Sequence, residues 1–288
     1  MSSLVVNTNM SAIQAYNNLN STDQAMSVAI SRLSSGLQIQ TAADNPAGYV
    51  TSEALSFQST GYQQDISNAQ DTTAMVQTAT GALNQITSIL QTMDQLAVAS
   101  ANSATNDSTS LQANEQEFSA LQSQIDQIAN STSYGTSQLL NLSAGNNVFT
   151  VQVGAFAQNG ATAAGGNAYQ QISFSVSAVT TGALALTTTE VSVANAASAS
   201  SAIAAVQSAL SLVDTIESSL GATQNELSAL VSNLTVGNQN LQAAYSGMVD
   251  VNMAQEMTTF STDQILMQTG TAMLAQAQTA PSLILKLI

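Results

Sequence analysis

Glu115 and Glu117 are the closest pair of acidic residues with a helix-like setting, and paired carboxylates are the first arrangement to test for acid–base chemistry. On a helix, however, residues two apart point to different faces, so these two make a poor general acid/base dyad, and a solvated helix face is the better reading. Serine is abundant, but the chain has no His, so a Ser–His–Asp triad cannot form. A Ser–Lys pair would have to use Lys286, near the C-terminal end. Gly160, Gly165 and Gly166 are followed by no Lys and lack a strand–loop–helix setting, which points to a hairpin loop rather than a phosphate cradle. With no Cys and no His, thiolate metal sites, disulfides and the commonest metal ligand are all absent. Neither a metal nor any other cofactor is expected. Six Asn-X-Ser/Thr sequons, starting at Asn9, Asn20, Asn106, Asn130, Asn141 and Asn233, match what chance gives in a chain this rich in Asn, Ser and Thr. Very little ordinary enzymology survives these absences.

The charge balance narrows this further. Only 7% of the 288 residues are charged, with two Lys+Arg against 17 Asp+Glu, a formal net charge of −15. Two cations cannot make a basic patch, so nucleic-acid binding through phosphate neutralisation is excluded. The carboxylates are spread from Asp23 to Asp263 instead of clustering in a tail. Charge this sparse is unlike a densely acidic halophile surface. Adaptation to acid fits better, because carboxylates lose their charge there while a shortage of cations prevents positive self-repulsion. Arg32, the single Arg, lies beside Leu33, where either an internal ion pair or a snorkelling surface residue fits. Of the ten methionines, Met75, Met93 and Met273 lie on apolar stripes, so ordinary packing explains them.

The apolar residues, 44% of the chain, are arranged mainly at helical spacing. Val5, Ala12, Leu19, Met26 and Leu33 recur every seven residues, with Tyr16, Ile30 and Leu37 at the intervening positions. Gly36 and the segment Thr41–Gly48 stop this pattern. A helix is expected from about Gly48 to Ser100, where Met75, Ala79, Ala82, Ile86, Ile89, Met93 and Leu96 form one row and Val76, Leu83, Leu90 and Ala97 a second. Such a helix is roughly 80 Å long. Leu111, Phe118, Leu121, Ile125 and Ile128 mark a shorter helix. The period then changes to two at Phe149/Val151/Val153 and Ile172/Phe174/Val176, which predicts strands, with one or two more around Leu184/Leu186 and Val191/Val193. From Ile203 to Met248 a three–four register is broken only at Glu217, Gln224 and Asn238. A last helix carries Leu266, Gly270, Met273, Ala277, Ala280, Ile284 and Leu287.

The expected fold is mainly α: long coiled-coil-type helices from both termini bundled together, with a small β-hairpin module inserted in the middle. The corresponding segments are 1–42, an inner-core helix; 43–132, the N-terminal part of a second domain; 133–194, the hairpin and loop module; 195–248, a long C-terminal helix; and 249–288, a second inner-core helix. No uninterrupted apolar run approaches a membrane span and no cleavable signal peptide is evident, so no membrane association is expected. Stripes that stay apolar into both ends point to partner faces supplied by other copies of the chain.

Several segments resemble bacterial flagellin. Ser31-Arg-Leu-Ser-Ser-Gly-Leu37 followed by Thr41-Ala-Ala-Asp-Asn-Pro-Ala-Gly48 is similar to its N-terminal signature. Leu90-Gln-Thr-Met-Asp-Gln-Leu-Ala-Val98 with Ala101-Asn102-Ser103 resembles its long-helix segment, and the run from Ser261 to Ala277 its C-terminal helix. The resemblance covers about residues 1–155 and 195–288 and implies a near-minimal, non-enzymatic filament subunit in the extracellular bacterial flagellum. It implies a homo-oligomer polymerised through its terminal helices, with Val5, Ala12, Leu19, Met26, Leu33, Leu266, Met273, Ala280, Ile284 and Leu287 packing the filament core. It also implies unfolded export through the flagellar type III apparatus, and an export chaperone, filament cap and hook-junction proteins as partners. The hook–filament junction protein shares the terminal signatures and is the alternative reading, since Asn45-Pro46 resembles it. An enzyme displayed on the filament would need a metal-bearing insert that the chain lacks. Two places that are usually basic in the family, after the Ser-Ser-Gly-Leu segment and in the long helix, hold Gln38, Thr92 and Asp94. In the family, that helix and a carboxylate matching Glu117 form the surface recognised by the vertebrate innate immune receptor. Leu90, Leu96 and Glu117 are retained while Thr92 replaces the Arg, so weak recognition is expected.

Overall fold

The structure is a computed structural model that describes residues 8–102, 106–141, 147–154, 171–187 and 191–285. Among these residues five helices and four short strands follow in the order α1 (Met10–Ser35), α2 (Pro46–Ala101), α3 (Ser108–Ser131), β1 (Ser133–Tyr134), β2 (Ser137–Gln138), β3 (Asn147–Gln152), β4 (Gln171–Val176), α4 (Ala196–Val249) and α5 (Met253–Leu285). The chain divides into two compact units, Met1–Gln58 with Asn240–Ile288, and Ser59–Gln239.

In the first unit, α1 and α5 lie against each other. Asn9 caps α1 by accepting from Ala12 N–H at 3.1 Å, and its side-chain amide donates to the Ala277 carbonyl of α5 at 2.7 Å. At the other end Gly36 adopts a left-handed φ of 76° and donates to the Arg32 carbonyl at 2.8 Å. Gln38 N–H then bonds to Val249 O at 2.6 Å and Val251 N–H to Gly36 O at 2.9 Å, around an antiparallel bridge between Leu37 and Asp250. These bonds tie the exit of α1 to the entry of α5.

The start of α2 is built from the Thr41–Gly48 segment. The Asp44 carboxylate accepts from Thr41 N–H at 2.9 Å, Gln40 N–H at 3.1 Å and the Thr41 hydroxyl at 3.1 Å. Those donors, with Arg32 a smaller influence, hold its carboxyl below the usual carboxylate range. Asn45 accepts from Gly48 N–H at 3.0 Å and Pro46 occupies the first helical position, which needs no N–H. A Cβ on Gly48 would lie 2.7 Å from Ile39 Cδ1 and 2.9 Å from Asn45 Nδ2, so any larger residue here requires the side chains closing this turn to shift.

The second unit holds the larger core. Val76, Leu83, Leu90 and Ala97 of α2 are fully buried with Phe118 and Ile125 of α3 and Val213 and Leu220 of α4. Of the other row expected on α2, Ala79, Ile86, Ile89 and Met93 are buried as well, while Met75, Ala82 and Leu96 sit half-buried on the flank. The β3–β4 hairpin pairs antiparallel from Asn147↔Val176 to Gln152↔Gln171, and Phe149 stacks on Phe174 with centroids 5.3 Å apart. A second small hairpin, β1–β2, was not expected from the sequence; two residues per strand are too few to show a period.

The further strands expected at Leu184/Leu186 and Val191/Val193 do not form. Residues 181–185 make turns, with Ala185 at φ 54°, and 191–193 are irregular. Their backbone groups bond to side chains of α3 instead of to a neighbouring strand. Gln122, buried, donates to Leu186 O at 2.7 Å and Val191 O at 3.4 Å. Asp126 accepts from Thr181 N–H at 2.8 Å and the Thr181 hydroxyl at 2.7 Å. Glu115 accepts from Val193 N–H at 2.5 Å and the Ser192 hydroxyl at 3.0 Å. One stripe of polar side chains on α3 therefore latches a loop whose Leu184, Leu186, Val191 and Val193 close the core.

By length and composition α4 could cross a membrane, with a window of mean hydropathy 1.4. Here its Val206, Val213, Leu220 and Leu227 row is spent on the interior of the unit.

Candidate assembly surface

The α1–α5 seam is set by narrow rows in which small residues alternate with larger ones. On α1 the shielded positions are Ala12, Ala15, Leu19, Thr22, Met26, Ala29 and Leu33; on α5 they are Glu256, Phe260, Asp263, Met267, Gly270, Leu274 and Ala277. Both sets step by three and four, as a packed helix pair requires. A Cβ on Gly270 would come within 3.1 Å of Leu19 Cδ1, a mark of how close the helices run there.

Ala12, Leu19, Met26 and Leu33 thus sit on the seam within one chain, whereas Tyr16 and Ile30, expected in its second row, are 61% and 49% exposed. That row is filled one residue earlier, by Ala15, Thr22 and Ala29, because small side chains let two helices approach where a Tyr would hold them apart. On α5, Gly270 and Ala277 face α1 as their spacing implies, but Leu266 and Met273 point outward at 49% and 64% exposure. Val5, Lys286 and Leu287 lie outside the described residues, as do the side chains of Ala280 and Ile284.

What remains outside is strongly apolar. Met10, Ile13, Tyr16, Val28 and Ile30 of α1, and Met253, Met257, Ile265, Leu266 and Met273 of α5, are each 45% exposed or more. Val50 and Phe57, at the start of α2, add two more at 69%. Twelve of the seventeen exposed large apolar side chains among the described residues therefore fall in the smaller unit, far more than chance scatter places there. Sequence reasoning missed Met10, Ile13, Val28, Met253, Met257 and Ile265. The signal was present as apolar residues standing off the seven-residue step.

Charge plays little part in this surface. Arg32 Nη1 is 3.8 Å from Glu256 Oε1 with both side chains partly shielded, which realises the internal-pair reading of Arg32. No group of three or more potential metal ligands is found among the described residues.

The immune-receptor residues named above lie in the second unit. Thr92 is exposed, its hydroxyl donating to Ser88 O at 3.0 Å within α2. Glu117 is exposed and Leu96 half-buried, but Leu90 is fully buried in the core and offers no surface to a partner.

Both ends of the chain match helical regions of known proteins. The family model described as the bacterial flagellin N-terminal helical region matches residues 6–145, and that of the C-terminal helical region matches 203–288. A flagellin of Halalkalibacterium halodurans is 36% identical over 285 residues, spanning 99% of this chain and 100% of that protein. The chain belongs to the flagellin family. A flagellin of Bacillus subtilis (strain 168) is 34% identical, covering 98% of this chain and 99% of its own length, and the flagellar filament 33 kDa core protein of Treponema phagedenis is 32% identical, covering 99% and 100%. Flagellins are structural proteins, not enzymes, and this one is a structural subunit that polymerises into a flagellar filament. The relatives just named are flagellins and a filament core protein, and the hook–filament junction reading gains no support among them. The two matched regions flank the β3–β4 hairpin and the latched loop, so the flagellin signature resides in the helices that build both units.

Proposed function

We propose that this flagellin polymerises through its first unit, the exposed apolar faces of α1 and α5 mating with equivalent faces of other copies. The observation that carries this reading is the concentration of exposed large apolar side chains on those two helices, at positions their mutual seam leaves uncovered. Full burial of a Met, Ile or Leu side chain contributes about 1.5–3 kcal/mol, and completing the burial of these half-exposed ones about half of that, so several per subunit together hold a polymer. Within the filament, Ala12, Leu19, Met26 and Leu33 serve the pairing of α1 with α5, while Leu266 and Met273 serve contacts between copies. Ala280 and Ile284, with Val5 and Leu287, extend the same packing toward the chain ends. The filament is extracellular, and the subunit reaches it unfolded through the flagellar type III apparatus, attended by an export chaperone and meeting the cap and hook-junction proteins at its destination. A chain with no Cys suits that route, since no disulfide has to be opened before it is threaded.

Substituting single exposed residues tests the reading. Tyr16→Asp or Ile265→Asp places an unpaired charge in the proposed contact and is expected to abolish sedimentable polymer while leaving the helical circular dichroism of the subunit unchanged. Val148→Asp, equally exposed but on β3 in the second unit, is expected to polymerise normally. Normal polymer from both helix variants would overturn the assignment.

A further inference from the structure

The chain contains no Cys, no Trp and no His, which leaves methionine as its most readily oxidised side chain. Its ten methionines are not equivalent. Met93 is fully buried, and Met26, Met75, Met248 and Met267 are half-buried on helix seams or core flanks. Among the described residues, the exposed methionines are Met10 at 67%, Met273 at 64%, and Met253 and Met257 at 49% each. All four lie on α1 and α5, on the faces that the preceding section assigns to contacts between copies, and none lies in the second unit.

We propose that Met10, Met253, Met257 and Met273, exposed at separate points along α1 and α5, are oxidant-sensitive positions that together decide whether a free subunit can join the filament. The inference rests on the assembly reading of these faces. A hydroperoxide, hydrogen peroxide in the simplest case, is the co-substrate. A sulfur lone pair attacks one peroxide oxygen, the S–O bond forms as the O–O bond breaks, and the transferred oxygen's proton passes to the departing hydroxide, which leaves as water. Sulfur loses two electrons and the peroxide gains them. The product sulfoxide is polar and a strong hydrogen-bond acceptor, and a dry apolar contact between helices offers it no donor. Oxidation therefore lowers the affinity of the subunit for the filament end without touching the core of either unit. Once a subunit is incorporated, the same thioethers are covered and protected. The modification acts before assembly and not after it.

Full-length subunit and preformed filament are each treated with limiting hydrogen peroxide. Peptide mass spectrometry then follows sulfoxide formation at every methionine, and sedimentation measures the critical concentration for seeded growth. In the free subunit the four named methionines are expected to oxidise at least about tenfold faster than Met93, and the critical concentration to rise about tenfold, equivalent to about 1.4 kcal/mol. Treatment with both methionine sulfoxide reductases is expected to restore growth, and the variant combining Met10→Leu, Met253→Leu, Met257→Leu and Met273→Leu, whatever its own critical concentration, to show no change in it after peroxide. If that variant fails to assemble, the reductase reversal of the natural chain still decides the matter. Oxidation of the four in the filament as fast as in the free subunit would overturn the assembly reading itself. Protection in the filament together with unchanged growth of the oxidised subunit would overturn this proposal and leave that reading standing.

Discussion

The sharpest test of the fold is Glu115→Ala set against Glu117→Ala. Both residues are carboxylates on α3, two positions apart, and nothing in their sequence spacing distinguishes them. In the structure Glu117 is exposed, while Glu115 Oε2 accepts from Val193 N–H at 2.5 Å and from the Ser192 hydroxyl at 3.0 Å. Hydrogen bonds to a charged acceptor contribute about 1.5–3 kcal/mol each when well shielded, and an orphaned buried N–H costs about 1–3 kcal/mol. Val193 is fully buried, so its amide has no water to turn to, whereas the Ser192 hydroxyl is half-exposed and can re-bond. Counting the amide fully and the hydroxyl weakly gives about 2–3 kcal/mol for Glu115→Ala, and a surface change such as Glu117→Ala stays within about 0.5 kcal/mol. At about 2–4 °C per kcal/mol for a unit of this size, Tm falls by about 4–12 °C for the first variant and barely moves for the second. Thermal unfolding by circular dichroism, with hydrogen exchange at Val193, measures both. Glu115→Gln keeps a neutral acceptor and is expected to recover roughly half the loss. Equal Tm values for the two alanine variants would refute the latch, and with it the reason that residues 191–193 are not a strand.

Glu217 on α4 gives a pH test. Burial, and secondarily the neighbouring Asp214, pushes its carboxyl above the ordinary value of 4.5, so the folded chain holds that proton more readily than the unfolded one. The charged form therefore costs stability above the raised value, and the cost disappears as pH falls below the ordinary one. Glu217→Gln is expected to raise Tm at pH 7, on the order of 1 °C for so partly shielded a group, with no gain at pH 3. For the filament, sedimentable polymer at pH 3 is expected to be no less than at pH 7. The assembly faces are apolar, and the one described cation forms a long, part-exposed pair worth at most about 1 kcal/mol. The turn and cap carboxylates Asp44 and Asp107, held low by backbone N–H donors, also keep their contribution further into acid than an ordinary Asp. Greater dissociation at pH 3 would defeat this. In a reporter assay of the vertebrate flagellin receptor, activation is expected to be weak. Thr92 supplies a hydroxyl already engaged with Ser88 O where the family usually has an Arg, and full flagellin potency would contradict it.

The helices were legible in the sequence, but their rotation about the axis was legible only by half. On α4 the row Val206, Val213, Leu220, Leu227 and Leu234 is both the expected and the buried one. Its companion was expected at Ile203 and Leu210, with Glu217 and Gln224 breaking the register, yet the side chains that go inside beside it are Ala202, Ala209, Ile216 and, nearly so, Thr223. The same one-residue displacement occurs on α1, where Ala15 and Ala29 take the places expected of Tyr16 and Ile30, with Thr22 between them. Hydrophobicity finds the row of large residues because they gain most from burial. The row facing it is chosen by size, since two helix backbones approach closely only over small side chains. A pattern search that scores Ala below Leu therefore slides to the wrong neighbour. The strands expected but not formed have a related cause: Leu184/Leu186 and Val191/Val193 alternate because they cap a core, and alternation does not say whether a backbone's partners are another strand or the side chains of a helix.

The assembly surface was hidden by the same success. A seven-residue step in α1 sorts its apolar residues into those that fit and those that do not, and the fitting set, Ala12, Leu19, Met26 and Leu33, pairs α1 with α5 of its own chain. Residues off the step, such as Ile13 and Val28, look like noise in a coiled-coil reading. A monomer has no use for them: each adds apolar area to water, on helices whose other face already buries enough to pair. An apolar surplus beyond what one seam can cover is the property that separates a helix made for one partner from a helix made for several. In this chain the surplus falls on α1, α5 and the first turns of α2, while the second unit keeps its large apolar residues mostly inside. With one described cation to offset repulsion or set register through charge, shape and that surplus are what remain to specify how copies meet.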